Sequence, residues 1–278
     1  MKSFVGRSES PPRIHLYREP SSKSFNLDEI ADYLREKLGK ISVDVRDPLF
    51  AATPEKMDEV AGSLAATKVR DVMDPNVEVE PLPGEVEFEK RLLREPGLNL
   101  SGVLYDGFKL EAVAREFLPA DEANTDHLHV IFTSRLFGTY DEDDGRYHAR
   151  VSVYGFPSLI STTGIVEAPA KPKEYYSLKQ RYMAVGDVIS LEKLKERFAG
   201  RFIDYEDPRT TEVMKGYVMQ AVFYHLTFDP FCQEKKCRMF NSHWQEELLE
   251  AQLGKPEFCE RHARMLVELK SKSEKVLK

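Results

Sequence analysis

Apolar residues along this chain follow two periods, and the order in which they alternate predicts its elements. Ile14 and Leu16 stand two positions apart, the spacing of a short strand. Leu27, Ile30, Ala31, Leu34 and Leu38 then fall on one helical stripe. Asn26 is placed as the N-cap with Glu29 three residues on, Phe25 can staple onto Ile30, and Gly39 ends the helix. Ile41, Val43 and Val45 alternate as a second strand. A β–α–β opening of this kind predicts parallel neighbours joined by a right-handed crossover.

Thr53-Pro54 starts a helix carrying Met57, Val60, Ala61 and Leu64. The Pro- and Glu-rich stretch 74–102 predicts loops around a short helix near 88–93. A strand at 103–105 and a helix over 108–118 follow. Residues 127–133 alternate as a strand, with Leu128, Val130 and Phe132 on one face and His127, His129 and Ile131 on the other. A further strand is expected over 147–154, with the acidic run 141–145 as the hairpin turn between the two; Asp144-Gly145 is a tight-turn dipeptide. Residues 157–172 are irregular, and Ser190 caps a short helix carrying Leu191, Leu194 and Phe198. A long helix over 211–227, a cysteine cluster and one or two further helices complete the chain, with no internal repeat.

The 278 residues suffice for one large domain, or one domain with a smaller lobe. At 41% apolar and 31% charged, the balance is that of a globular protein. A net charge of −7 argues against general nucleic-acid binding, although Glu260 to Lys278 is locally basic, with six Lys/Arg against three Glu. No apolar run is long enough for a transmembrane helix, and the N-terminus lacks the apolar core of a signal peptide, so a cytoplasmic location is expected.

The three cysteines lie between positions 232 and 259. An odd, clustered set in a reducing compartment points to metal rather than disulfides. Cys232, Cys237, Cys259 and His262 are spaced x4, x21 and x2 apart, two close pairs joined by an excursion expected to hold a helix over 242–253. A closed Cys₃His set predicts one structural Zn²⁺, with no position left for substrate. The alternative is three cysteines buried as small apolar groups beside an unrelated His262.

The segment around the first pair, Ala221-Val-Phe-Tyr-His225-Leu-Thr-Phe228-Asp-Pro-Phe231-Cys232-x4-Cys237-Arg-Met239, resembles the archaemetzincins, zinc metallopeptidases widespread in archaea. Their hallmark is H-E-x-x-H-x-x-G-x-x-H-C, then x4-C-x-M and a later C-x-x-C that completes a cysteine-bound zinc. Cys259-Glu-Arg-His262 falls where that last pair belongs. The resemblance implies an α+β fold: a zincin-like mixed, twisted sheet with helices, plus a C-terminal zinc-stapled helical lobe. It implies a tail over 1–12, an α/β domain over 13–228 and the lobe over 229–278.

In the family, three histidines hold a catalytic zinc and the Glu is the general base. Here Ala221 stands at the first His, Val222 at the Glu, Phe228 at the turn Gly and Phe231 at the third His. His225 survives as a relic of the former active site, as does Met239, the apolar floor beneath the metal. No residue is therefore assigned a catalytic role. The expectation is a degenerate peptidase whose cavity is filled by Phe228 and Phe231, and whose work is binding another protein along the edge of the 147–154 strand. Two other readings stay open. One is a hydrolase rebuilt around His225 with Asp229, His243 or the His127/His129 pair, to which Asp126 and His148 could contribute. The other is a nucleic-acid contact through Lys235, Lys236, Arg238 and the basic C-terminal helix. For His225 itself a backbone carbonyl partner is the simpler expectation, and for His127 and His129 an exposed strand face.

Overall fold

The structure is a computed structural model that describes residues 12–19, 25–51, 54–95 and 102–275. The expected tail over 1–12 lies outside these residues except for Pro12, as does Thr53. The strands are β1 (Arg13–Tyr17), β2 (Val43–Arg46), β3 (Tyr105–Asp106), β4 (His127–Thr133), β5 (Phe137–Asp141), β6 (Arg146–Arg150), β7 (Ser152–Val153) and β8 (Ser158–Ser161). The helices are α1 (Leu27–Leu38), α2 (Met57–Ala66), α3 (Pro83–Arg94), α4 (Gly107–Glu116), α5 (Gly164–Glu167), α6 (Lys173–Ala184), α7 (Val188–Arg197), α8 (Thr210–Thr227), α9 (Gln245–Leu253) and α10 (Glu260–Lys275).

The first three elements form as their pattern predicts. Asn26 Oδ1 accepts from Glu29 N at 3.2 Å, and Gly39 closes α1 with φ +83°. β1 pairs in parallel with β2 on one side and β4 on the other, and β4 with β8, giving the order β2-β1-β4-β8-β7 with β7 antiparallel at the edge. Both faces of this sheet are covered, so β1 and β4 are buried on alternating sides. Ile14, Leu16, Leu128, Val130 and Phe132 join the main core with α1, α8 and the cysteine cluster. Tyr17, Ile131 and Leu159 face a second core with α2 and α4.

The 127–133 strand does not form a hairpin with the next strand, as alternation alone suggested. A short strand not expected from the sequence, β5, intervenes and takes the acidic turn: β5 and β6 pair antiparallel from Phe137↔Arg150 to Asp141↔Arg146, with β3 on the other side of β5. Asp141 Oδ1 accepts from Asp143 N and Asp144 N, so the acidic run is a turn. The 147–154 strand is broken into β6 and β7 in different sheets. Helix α6 was also unforeseen; with α7 it packs a satellite core of Tyr175, Leu194, Phe198 and Phe202. Asp187, not Ser190, accepts the α7 N-terminal amide bond, Ser190 N to Asp187 Oδ1 at 3.0 Å. Among the described residues no helix is long and apolar enough to cross a membrane.

Candidate metal centre

Helix α8 is buried around nearly its whole circumference, not along a single stripe; Val213, Met214, Tyr217, Val218, Met219, Ala221, Val222 and Phe223 are all buried. It ends at Phe228, whose backbone is left-handed at φ +57°. Cys232 N then donates to Met239 O at 2.9 Å, which folds the chain back so that Cys232 and Cys237 flank one turn and Met239 sits fully buried beneath it. Helix α9 spans the excursion. Cys259 lies just before α10, and His262 three residues on in its first turn, where residues three apart share a face.

The four side chains meet. Cys232 Sγ is 3.8 Å from Cys259 Sγ, and His262 Nδ1 is 3.2 Å from Cys259 Sγ and 3.5 Å from Cys237 Sγ. All four donor atoms lie within 4.8 Å of one another. A tetrahedral zinc with Zn–S near 2.3 Å and Zn–N near 2.0 Å requires edges of roughly 3.5–3.8 Å, which these spacings approach. Burial pushes the Cys237 thiol up to about 12 and raises Cys232, while it lowers the His262 imidazole. The Cys232 and Cys237 thiols, so held, ionise only when a cation compensates them. His262 Nε2 is buried without a hydrogen-bond partner, and the imidazole stands edge-on to Phe223, ring centroids 5.3 Å apart. Donor type, spacing and burial fit a structural metal.

The positions where the family motif places catalytic groups have a different fate. Ala221 and Val222 are in the main core. His225 Nε2 lies 3.0 Å from the Thr125 carbonyl oxygen, the backbone partner expected of it. Asp229 is paired with Arg261 at 2.9 Å, and neither group of clustered metal-ligating side chains among the described residues contains His225, Asp229 or His243. Phe228 does not fill a cavity: it is 57% exposed, because the left-handed cap turns it off the end of the helix. Phe231 packs against Tyr154, ring centroids 6.0 Å apart, at one side of a groove of about 370 Å³. Arg150 to Tyr154 form one wall of that groove, and Tyr217, Gln220 and Tyr224 of α8 the other.

The second group is His15, Glu122, His127 and His129. His127 and His129 share a face as their alternation implied, but they are buried, not exposed. His148 is not with them; it lies opposite Thr139, with Nε2 2.8 Å from Asp144 Oδ2. His15 and Glu122 were not picked out from the sequence. His15 sits in the first strand, and the β–α–β pattern that places that strand in a parallel sheet was the one signal available. The Arg46 guanidinium, bonded to Glu122 at 2.8 Å, holds that carboxyl down at about 2, and burial lowers His129 to about 4.

A family model described as "Probable metallopeptidase family (DUF6775)" matches residues 10–269. The chain belongs to that family. No curated protein matches it in sequence. Among solved structures, archaemetzincin from Methanopyrus kandleri is 14% identical over 95% of this chain and 98% of that chain, with a TM-score of 0.45. The chain has a cluster able to hold a metal, and a valine stands at 222.

Proposed function

We propose that this protein is a catalytically silent member of its metallopeptidase family, held together by one structural Zn²⁺ on Cys232, Cys237, Cys259 and His262. It binds a segment of another protein, as a binding or assembly subunit, in the groove between α8 and the β6–β7 edge. The observation that carries this reading is a groove that runs beside α8 while Ala221 and Val222, where a peptidase needs a ligand and a base, are buried in the core. Without a carboxylate at 222 nothing at that place can take a proton from water. β6 and β7 end their respective sheets, and edge strands bind extended peptides through the main chain. The reduced cysteines suit a cytoplasmic setting.

The rebuilt hydrolase around His225 has less support, since that imidazole is committed to the Thr125 carbonyl. The test is to titrate the zinc-loaded full chain with libraries of extended peptides, following anisotropy for binding and mass spectrometry for cleavage. The expected result is binding without cleavage, weakened about tenfold by Tyr224→Ala. Cleavage that His225→Ala abolishes while the fold is retained would establish a peptidase instead, and absence of peptide binding would remove the proposed role.

A further inference from the structure

Central parallel strands buried on both faces are normally continuous runs of Val, Ile and Leu. β1 and β4 break that rule at one end, on one face. His15 and His129 are register partners on adjacent strands, and His127 lies two residues before His129 on the same side. Their rings stack, with centroids 4.8 Å apart for His15–His129 and 5.1 Å for His15–His127. Glu122, from the segment leading into β4, reaches over them with Oε2 3.9 Å from His15 Nε2. The strand pattern H-x-H plus a histidine on the neighbouring strand sets three imidazoles on rigid backbone, the arrangement from which three-imidazole zinc sites are built.

We propose that His15, His127, His129 and Glu122 form a second metal site, for a divalent ion of the Zn²⁺, Co²⁺ or Ni²⁺ class. Imidazole donors with one carboxylate select such borderline ions over Mg²⁺ or Ca²⁺. A supporting shell is already in place. Asp44 Oδ1 lies 2.6 Å from His15 Nδ1, the carboxylate–histidine contact that directs the opposite nitrogen at a metal. Tyr17 OH is 3.0 Å from His129 Nδ1, and Arg46 orients Glu122. His15 Nε2 and His127 Nδ1 converge to 2.8 Å. Tetrahedral zinc–imidazole geometry needs roughly 3.3 Å between nitrogens. Rotation of His127, the most exposed of the three imidazoles, supplies that opening. His129 Nε2 rests 3.1 Å from the Glu122 carbonyl oxygen, so the ion enters by displacing that carbonyl. Leu128 and Val130 point from the same strand into the core containing α8, so this site lies on the other face of the sheet from the former catalytic helix.

The experiment is a Co²⁺ titration of the metal-stripped full chain, with elemental analysis of the protein as isolated. Two equivalents are expected. One carries the intense thiolate-to-cobalt charge-transfer band of the cysteine site, and the other only weak ligand-field absorption. His127→Gln should abolish the second and leave the first, whose band then reports an intact fold. Asp44→Asn should weaken the second about tenfold or more while all proposed ligands remain. A single equivalent overturns the proposal. So does a second equivalent that binds with unchanged affinity in both variants.

Discussion

The Tyr154 hydroxyl donates a 2.6 Å hydrogen bond to Gln220 Oε1, tying the strand side of the groove to α8 one residue before Ala221. Gln220 Nε2 in turn donates to the Phe240 carbonyl at 3.3 Å, next to the buried Met239. A buried amide that bridges two walls keeps them at a fixed distance. Gln220→Ala should cost about 1–3 kcal/mol by removing the shorter acceptor of the Tyr154 hydroxyl, which keeps only the Tyr217 carbonyl at 3.3 Å, and the donor to the Phe240 carbonyl; Tyr154→Phe should cost about 1 kcal/mol. Urea denaturation of both singles and the double would check this; strict additivity would mean the bond contributes nothing.

Removing the metal of the cysteine cluster should loosen the C-terminal helices. Cys259→Ser, or a strong chelator, is expected to lower stability by on the order of 4 kcal/mol or more, since a structural zinc contributes folding free energy directly. Thermal melts with and without chelator should differ for the wild type and coincide for the variant.

Ala221 and Val222 are packed, not merely vacated. Ala221→His should cost about 1–3 kcal/mol by overpacking, and Val222→Glu more, because the carboxylate would be buried without a partner. Unchanged denaturation midpoints would show that these positions face open space.

Phe228 keeps a left-handed turn where the family motif has glycine, and pairs its ring with Tyr224 at 5.7 Å. Phe228→Gly relieves roughly 1 kcal/mol of backbone strain and should hold or raise the melting temperature. Phe228→Val should lower it by about 1 kcal/mol or more, since a β-branched residue tolerates that conformation poorly. Differential scanning calorimetry should find the valine variant melting below the wild type and the glycine variant not below it.

Glu89 is fully buried, with Lys68 Nζ at 2.9 Å, Arg135 at 2.8 Å and the Tyr105 hydroxyl at 2.7 Å. Burial alone would raise its pKa, but the two cations and the tyrosine outweigh burial and lower it below the ordinary 4.5. On acidification the unfolded chain therefore takes up this proton first. The stability Glu89 contributes is present above the unfolded pKa and is lost as pH falls through the folded one. Urea midpoints measured downward from neutral pH should drop in that window for the wild type and less steeply for Glu89→Gln, which should itself cost about 3–5 kcal/mol by leaving Arg135 buried and unpaired.

Local chemistry made much of this protein legible in its sequence. The α1 caps, the bounds of β4, the length of α8 and the four residues of the cysteine cluster all depend on spacings within a few residues or on ligand type, and the structure places them as the pattern implies. What spacing could not decide was which strands become neighbours. The 127–133 strand reads as half of a hairpin, yet its hydrogen bonds go to β1, more than a hundred residues earlier, because two buried faces outweigh a nearby turn. Only that pairing brings His15 beside His127 and His129, and only the left-handed cap at Phe228 turns its ring outward. Residue types and their spacing single out the four members of the cysteine cluster and show that neither 221 nor 222 carries an ionisable side chain, since both are matters of residue identity. Only the folded chain shows that Ala221 and Val222 are core, that a groove lies beside them, and that three histidines converge, because burial and long-range register arise on folding.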